Sequence, residues 1–354
     1  MKIKHYIICI STAISTFTYA QSSKYSNEFL RLGMGAQSFG MAGSVLTEKG
    51  NAESAYWNPS NLVTMQDTAQ ASFMHSNYYN GIANYNTASF ALKLNSKTAV
   101  ALSVIRFGVD DIMNTTQLID DQGNVDYDRI SLFSAADYAL LGTFSRKTNI
   151  PGLNIGGNIK LIYRQVGSFA NAYGMGTDVA ATYNKGKMSY AFVVSDLTTS
   201  FASWVFSDES LNDQLIELGQ DPIENGTEYT LPHVKMAVGR TFKFKNKMGL
   251  KAEFGTNVFF DGERNASISS STFTIEPNIG FELNYNEIVY LRTGVNNFQT
   301  YTDFGKEKVS FQPSIGMGAH YKSFQIDYGF TDVGNASISE LSHVFSLKYH
   351  FSKL

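Results

Sequence analysis

The sequence has little cysteine, little charge and no long apolar run, and each shortage excludes a class of protein. Its one cysteine, Cys9, stands near the N-terminus, so the rest of the 354-residue chain cannot rely on disulfides. No stretch approaches the roughly 20 apolar residues that a membrane-spanning helix needs. Asp, Glu, Lys and Arg make up only 17% of the chain, whereas about a quarter is usual in soluble domains. The formal charge of −3 gives no basic surface for a nucleic acid.

Tyrosine, phenylalanine and glycine are the abundant residues. The chain has 20 Tyr, 26 Phe and 29 Gly against only 6 Pro and 2 Trp. High aromatic and low charge content argue against disorder, and the absence of spanning helices argues against a helical membrane protein. Two classes therefore remain, a large soluble all-β protein and a transmembrane β-barrel.

The first twenty residues have the pattern of a secretory signal peptide. Lys2 and Lys4 precede a short apolar core, and small residues follow up to Ala20. A positive start, an apolar core and a small-residue end are the three parts of such a peptide. We therefore predict cleavage after residues 1–20, with a mature chain that contains no cysteine and is exported by the Sec route.

From about residue 68 onward, apolar and polar residues alternate over segments of ten or more residues. The last segment shows the pattern: its apolar side chains are Phe345, Leu347, Tyr349 and Phe351, and the residues between them are polar. Strict alternation means a strand with one apolar and one polar face. Strands of soluble sandwiches average five or six residues, whereas a hydrocarbon layer requires about ten. The pattern favours the membrane barrel.

The alternation predicts about fourteen strands in an antiparallel barrel over residues 68–354. They lie near 68–77, 84–94, 97–107, 134–146, 153–166, 172–184, 188–197, 229–243, 248–258, 272–285, 287–297, 309–319, 322–331 and 340–351. Nearly every second connection is tight, and the alternate connections at 108–133, 198–228, 259–271 and 298–308 are long. Short turns on one rim and long loops on the other are typical of outer-membrane barrels.

The loop 198–228 is the strongest candidate for a partner-binding surface. It is acidic, begins with the aromatic pair Trp204 and Phe206, and continues into a predicted amphipathic helix over about 208–218 that contains Leu211 and Leu215. Two interpretations are open: the apolar face folds back onto the barrel rim, or it is a docking surface anchored by the aromatic pair.

The segment before the first strand does not alternate and is rich in glycine. Glycine permits tight turns and close backbone approach, and Asn58-Pro59 marks a turn. Glycines and charges of both signs also recur at the predicted inward-facing positions of the strands, where small residues leave space for something to pack. We therefore predict that residues 21–67, the N-terminal segment, form a plug inside the barrel.

Two pieces of this segment carry a family resemblance. The run FLRLGMGAQSFGMAGS, followed by AYWNPSNL, resembles the start of outer-membrane proteins of the PorV/PorQ family, which are similar to FadL-type transporters. The resemblance is carried by Phe29, Leu30, Gly33, Gly35, Gly40, Met41, Gly43, Tyr56, Trp57, Asn58 and Pro59. It implies a fourteen-strand barrel with an N-terminal plug. It also implies docking onto a type IX secretion translocon or its cargo.

No sequence motif indicates catalysis, a cofactor or a metal. The mature chain has no His-Glu-x-x-His, no Gly-x-Ser-x-Gly and no cysteine. We therefore expect a protein that is not an enzyme and carries no cofactor.

Three functions remain open for a barrel in the outer membrane of a Gram-negative-type bacterium. The first is a non-enzymatic accessory or cargo-docking subunit of a secretion or assembly complex, bound to a large outer-membrane barrel or to secreted cargo. The second is a FadL-like channel for hydrophobic small molecules, and the third is a structural barrel without transport. In all three, the terminal aromatic strand with Phe345, Leu347, Tyr349 and Phe351 is expected to serve as the signal for barrel assembly.

Overall fold

The computed structural model is a closed antiparallel β-barrel. It describes residues 26–78, 81–116, 118–119, 122–207, 212, 216, 221, 223–331 and 342–351, so the predicted signal peptide lies outside the described residues. Within these ranges the strands form one sheet, which closes by pairing the first strand with the last along nearly their whole lengths. No helix in the same ranges is long and apolar enough to cross a membrane.

The strand segments follow the chain in order. They are β1 (Ala69–Tyr78), β2 (Ala83–Asn95), β3 (Thr98–Asn114), β4 (Ser131–Lys147), β5 (Leu153–Val166), β6 (Ala170–Lys185), β7 (Met188–Ser195), β8 (Ser200–Phe206), β9 (Gly226–Thr230), β10 (His233–Lys243), β11 (Met248–Phe259), β12 (Ile268–Ser269), β13 (Thr274–Tyr285), β14 (Val289–Asp303), β15 (Lys306–Tyr321), β16 (Phe324–Thr331) and β17 (Ser342–Phe351).

These segments make fourteen spanning strands among the described residues. β7 and β8 pair with the two halves of β6 and together form one spanning strand. Similarly, β9 pairs with β8 and β10 pairs with β7. β9 and β10 together therefore form the next spanning strand. β12 is a two-residue piece of the connection between β11 and β13. The predicted all-β fold class and strand number are therefore confirmed.

The β7–β8 strand is interrupted at residues 196–199, and the alternation alone predicts that a loop begins at residue 198. Asp196 and Thr199 have φ angles of 57° and 58°, a left-handed conformation that ends regular pairing. The buried ammonium of Lys160 on β5 contacts both Asp178 (2.8 Å) and Asp196. After this kink the chain resumes the sheet as β8. The prediction that 198–228 is loop throughout is therefore wrong at 200–206 and 226–228.

The predicted loop at 298–308 is also shorter than expected. β14 continues to Asp303 and β15 begins at Lys306, so only a tight turn connects them. A bulge between Asn296 and Gln299 shifts the register of β14 against β15. Because a bulge moves the side chains that follow to the opposite face, it disrupts the period-two pattern on which the strand prediction depended.

The N-terminal segment, described here from residue 26 to residue 67, contains short helical turns and no strand. Its turns are Glu28–Arg31, Ala36–Gly40, Ser54–Trp57 and Pro59–Thr64. Backbone atoms of this segment bond to inward-facing side chains of the barrel: Ala36 N–H to Ser346 Oγ (3.1 Å), and Ala52 N–H to Gln70 Oε1 (2.6 Å). The segment therefore lies inside the barrel, against the polar faces of the strands.

Candidate functional site

The barrel lumen is the candidate site, and glycines on its wall admit the N-terminal segment at backbone distance. A Cβ atom added to Gly156, Gly280 or Gly329 would come within 2.6–2.7 Å of backbone atoms of Pro59, Met41 and Ala36, respectively. Real Cβ atoms do not approach so closely, because van der Waals repulsion is already large at that separation. The inward glycines are therefore positions where the wall and the segment are in direct backbone contact.

The two motif pieces of the N-terminal segment bind each other. The hydroxyl of Tyr56 donates to Leu30 O (2.7 Å) and accepts from Gly33 N–H (3.1 Å), and Trp57 Nε1 donates to Met34 O (2.8 Å). Gly33 and Gly43 have positive φ and pack against the Trp57 ring. These contacts join the aromatic residues of the second piece to the first piece.

The Asn58-Pro59 turn attaches the segment to the wall. Asn58 Oδ1 accepts from Ser60 N–H (3.1 Å) and so caps the helical turn that follows. Its Nδ2 donates to Leu46 O and to Thr182 Oγ1 on β6, at 2.7 and 2.9 Å. Pro59 stands at the first position of the turn, where its missing N–H removes no hydrogen bond.

One half of the lumen, lined by β11–β17, is charged and the charges are paired. Arg292 donates to Glu282 and to Asp327, each at 2.7 Å, and all three side chains are almost fully buried. The inward charges predicted from alternation on these strands are therefore found on the lumen side. Arg292, which sequence reasoning had not singled out, is the centre of the cluster, although its place in the alternation of β14 would have indicated it.

Acidic side chains of the N-terminal segment pair with basic side chains of the wall in this charged half of the lumen. Lys348 on β17 contacts Glu53 at 2.9 Å, and Lys251 on β11 contacts Glu48. Glu253, also on β11, accepts backbone N–H bonds from Leu46 (2.7 Å) and Thr47 (2.8 Å). A buried carboxylate without such donors would be unstable, so these bonds hold the segment to the charged half of the wall.

Burial and charge act in opposite directions on Glu48. Burial by itself would raise the pKa of its carboxyl group. The adjacent Lys251 ammonium, by charge and by hydrogen bond, outweighs burial and holds the pKa of Glu48 below its ordinary value of 4.5. Glu48 is therefore ionised when the segment is seated at neutral pH.

The side of the lumen lined by β1–β5, called the apolar half, carries an apolar cluster beside buried polar residues such as Asn158 and Lys160 of β5. Tyr78, Tyr85, Ile105, Leu141 and Ile162 form a buried cluster there, with Phe107 and Val109 packed against it. The N-terminal segment contributes the side chains that fill this cluster, which are Phe29, Leu30, Leu32, Met34, Phe39, Tyr56 and Trp57. The lumen can therefore hold apolar groups against this cluster.

The predicted partner-binding residues do not form an outward loop in the described part of the chain. Trp204 and Phe206 lie on β8, where Trp204 shares the face of the buried Ala202. Arg164 lies 5.0 Å from the Trp204 ring, and the Trp204 and Phe206 rings are 6.4 Å apart. The expectation of a loop position is wrong for these two, while Leu211 and Leu215 lie outside the described residues.

The terminal aromatic strand occupies the place that alternation predicted. On β17, Phe345 and Leu347 are exposed on the outer face, and Tyr349 contacts both Phe324 and Phe351. β17 pairs with β1 on one side and β16 on the other. Its role as an assembly signal stays a prediction.

No metal site emerges from this geometry. Within the described ranges, no three His, Cys, Asp or Glu side chains are arranged to hold a metal ion.

Comparison with solved structures identifies the fold. The chain is similar to a FadL homologue of Pseudomonas aeruginosa (13% identity, TM-score 0.54), with 90% of this chain and 98% of that one covered. It is similar over the same shares to the toluene transporters TodX of Pseudomonas putida (11%, 0.56) and TbuX of Ralstonia pickettii (12%, 0.55). No protein-family model matches the sequence, and no curated protein matches it. The fold is therefore that of the FadL-like fourteen-strand barrels.

Proposed function

We propose that the protein is a non-enzymatic outer-membrane channel for small hydrophobic molecules, exported by the Sec route. The observation that carries this proposal is the apolar half of the lumen. A porin lumen for hydrophilic solutes is polar and filled with water, whereas here Tyr85, Ile105 and Leu141 are buried in a continuous apolar cluster. The toluene transporters that share this fold make an aromatic hydrocarbon a reasonable first substrate.

The N-terminal segment occupies the apolar half, so transport requires that part of it move. Besides its buried Phe29, the Glu28–Arg31 turn is attached to the wall by two partly exposed ion pairs. Arg31 bonds to Glu276 at 3.3 Å, and Glu28 to Arg264 at 3.4 Å, with Glu28 over a third exposed. Exposed ion pairs contribute little to stability. We therefore assign the movement to this turn, while residues 46–60 stay attached to the wall.

Uptake of radiolabelled toluene by a Gram-negative host that lacks a transporter of this fold tests the proposal. We expect wild-type protein to accelerate uptake above the host background. Phe107→Asn with Val109→Asn, which makes the apolar half polar, should return uptake to background. Asn257→Gln, on the opposite side of the lumen, is the matched control and should leave uptake unchanged. Wild-type uptake equal to that of the empty host would refute the channel.

The firm attachment of residues 46–60 supports a second candidate, a PorV/PorQ-like accessory or cargo-docking subunit of a type IX-like secretion complex. A segment held by the buried Lys348–Glu53 pair and by the Glu253 bonds is suited to keeping a barrel closed. Its partners would be a large outer-membrane translocon or a secreted cargo protein.

A mild-detergent affinity pull-down of the tagged protein from native envelopes tests this candidate. Stoichiometric recovery of a large envelope barrel would support the accessory role. Recovery of the protein alone would count against it.

A further inference from the structure

The barrel wall has an interruption between β13 and β14. The two strands pair from Tyr285–Val289 up to Ile279–Val295, and no pairing between them is present above that point among the described residues. Higher up, β13 pairs instead with β12, through Ile268–Ile275 and Ser269–Thr274. The backbone N–H of Ser267 bonds to Phe298 O on β14 at 2.7 Å. The β12 stretch thus bridges the two strands and leaves a gap beneath it.

Two features of the sequence keep the gap open. Pro277 has no N–H to give to a neighbouring strand. On β14 the bulge between Asn296 and Gln299, with Asn297 at a φ of 50°, turns the backbone away from regular pairing. The interruption is therefore specified on both strands.

A cavity of about 370 Å³ occupies the gap on the outer face of the barrel, and we call it the wall cavity. It is lined by Phe254, Ser267, Ile268, Pro277, Asn278, Ile279, Phe298 and Val309. Asn278 forms its inner end, where its side chain bonds to Ser44 of the N-terminal segment at 3.0 Å. The wall cavity is therefore open toward the membrane and ends at the lumen.

The surface that the lining presents to the cavity is apolar, because the Ser267 hydroxyl and the Asn278 side chain are buried behind it. Small-molecule sites typically measure about 300–1,000 Å³, with mostly apolar walls and few polar groups.

We infer that the wall cavity is a binding site for a small apolar molecule of the size of a substituted benzene. Phe254, Phe298 and Val309 would contact its apolar surface. The choice of an aromatic hydrocarbon rests on the proposed function.

The shape of the cavity favours a small molecule over a lipid chain as the occupant. A phospholipid acyl chain lying along the barrel needs a groove that continues toward the membrane surface. Here β12 closes the upper end, and the resumed β13–β14 ladder at Ile279–Val295 closes the lower end. The occupant must therefore fit within the unpaired stretch of the wall.

Photolabelling of the purified full chain in phospholipid vesicles tests this site. The probe is 3-trifluoromethyl-3-phenyldiazirine, a small apolar aromatic compound, and labelled residues are mapped by mass spectrometry. We expect labelling at Ile268 and Ile279 that excess toluene removes. Labelling at Ile326, an exposed outward residue of β16 away from the cavity, should be unaffected by toluene because it reports only partition into the lipid.

Filling the cavity provides a matched pair of variants. Val309→Trp places a large ring in the cavity and should abolish the toluene-sensitive labelling. Ile326→Trp is the control, because Ile326 is as exposed to lipid as Val309 (59% and 61%) and lines no part of the cavity. Heat-modifiable migration in gels checks that both variants form barrels. The toluene competition on wild-type protein tests the site even if a variant does not fold.

Two results would overturn the inference. One is labelling at Ile268 and Ile279 that toluene does not reduce. The other is labelling of the same residues by a phospholipid with a diazirine on its acyl chain, unaffected by toluene, which would assign the cavity to lipid. Neither measurement depends on transport. Toluene-sensitive labelling without uptake would therefore refute the channel and leave the site standing.

Discussion

Gly40 of the N-terminal segment and Gly316 of β15 lie backbone against backbone. A Cβ atom on Gly40 would be 2.8 Å from Gly316 Cα, and a Cβ on Gly316 would be 2.9 Å from Gly40 Cα. Neither glycine has a positive φ, so closeness, and not backbone conformation, is the reason for glycine at both positions. The pair sets how deeply the segment seats in the lumen.

Gly316→Ala should therefore destabilise the seated segment. Overpacking of a tight contact costs about 1–3 kcal/mol, and the segment should become more sensitive to protease while the barrel persists. Limited proteolysis and thermal melting in detergent would measure both effects. Gly142→Ala on β4 is the control, since a Cβ there meets nothing within 4 Å. Equal sensitivity of the two variants would contradict the packing argument.

Arg292→Met should be strongly destabilising. The substitution leaves Glu282 and Asp327 buried without their shared cation, and breaking a buried pair costs about 3–5 kcal/mol. Urea unfolding of the barrel would give the free energy. Adding Glu282→Gln and Asp327→Asn to Arg292→Met should recover most of the loss, because no buried charge then lacks a partner. A triple variant as unstable as the single one would show that the loss is due to packing.

Acid should loosen the seated segment through Glu48. Because Lys251 holds the pKa of Glu48 below 4.5 in the seated state, ionised Glu48 stabilises seating fully above that value. This contribution declines as pH falls below 4.5, and it is lost once pH passes below the lowered pKa. Protease protection of the segment measured against pH should therefore fall more steeply in wild type than in Glu48→Gln. Identical profiles would exclude Glu48 as a contributor.

Deletion of residues 349–354 should prevent barrel closure. Tyr349 and Phe351 pair with Ala71 and Ala69 of β1, so the deletion removes the lower part of the seam that joins the first and last strands. Deletion of 352–354 alone keeps these pairs and is the control. Heat-modifiable migration in gels would report closure. Normal migration of the longer deletion would argue against both the seam and the proposed assembly signal.

Strand positions could be predicted where alternation is local and uninterrupted. The strand expected at 153–166 is β5, Leu153–Val166, and the one expected at 248–258 is β11, Met248–Phe259. Prediction failed beyond residue 197, because the left-handed residues Asp196 and Thr199 interrupt the alternation although the strand continues after them. The orientation of Trp204 was missed for the same reason, because a residue assigned to a loop is not assigned to the inner or the outer face of a strand.

Part of the luminal site could also be predicted from the sequence. Alternation placed Lys251, Glu253 and Lys348 on the inner face, and the glycine-rich start indicated a segment that packs closely. Glu48 and Glu53, which pair with Lys251 and Lys348, lie in a stretch without periodicity. No sequence pattern could therefore predict that they contact the barrel wall. Lys251 and Glu48 are 203 residues apart in the chain. They come into contact only when the N-terminal segment packs inside the folded barrel, so local sequence cannot predict the pair.

The sequence by itself determined the barrel, because a period of two over ten residues has one physical solution at a membrane: one face toward lipid and the other toward a lumen. The tertiary structure alone decided how the lumen divides into charged and apolar halves, where Trp204 points, and where the wall is interrupted. These depend on how the strands pair and pack in three dimensions. Pro277 and the bulge at Asn297 are unremarkable separately, and they create the wall cavity only because the β13–β14 pairing places them on facing strands.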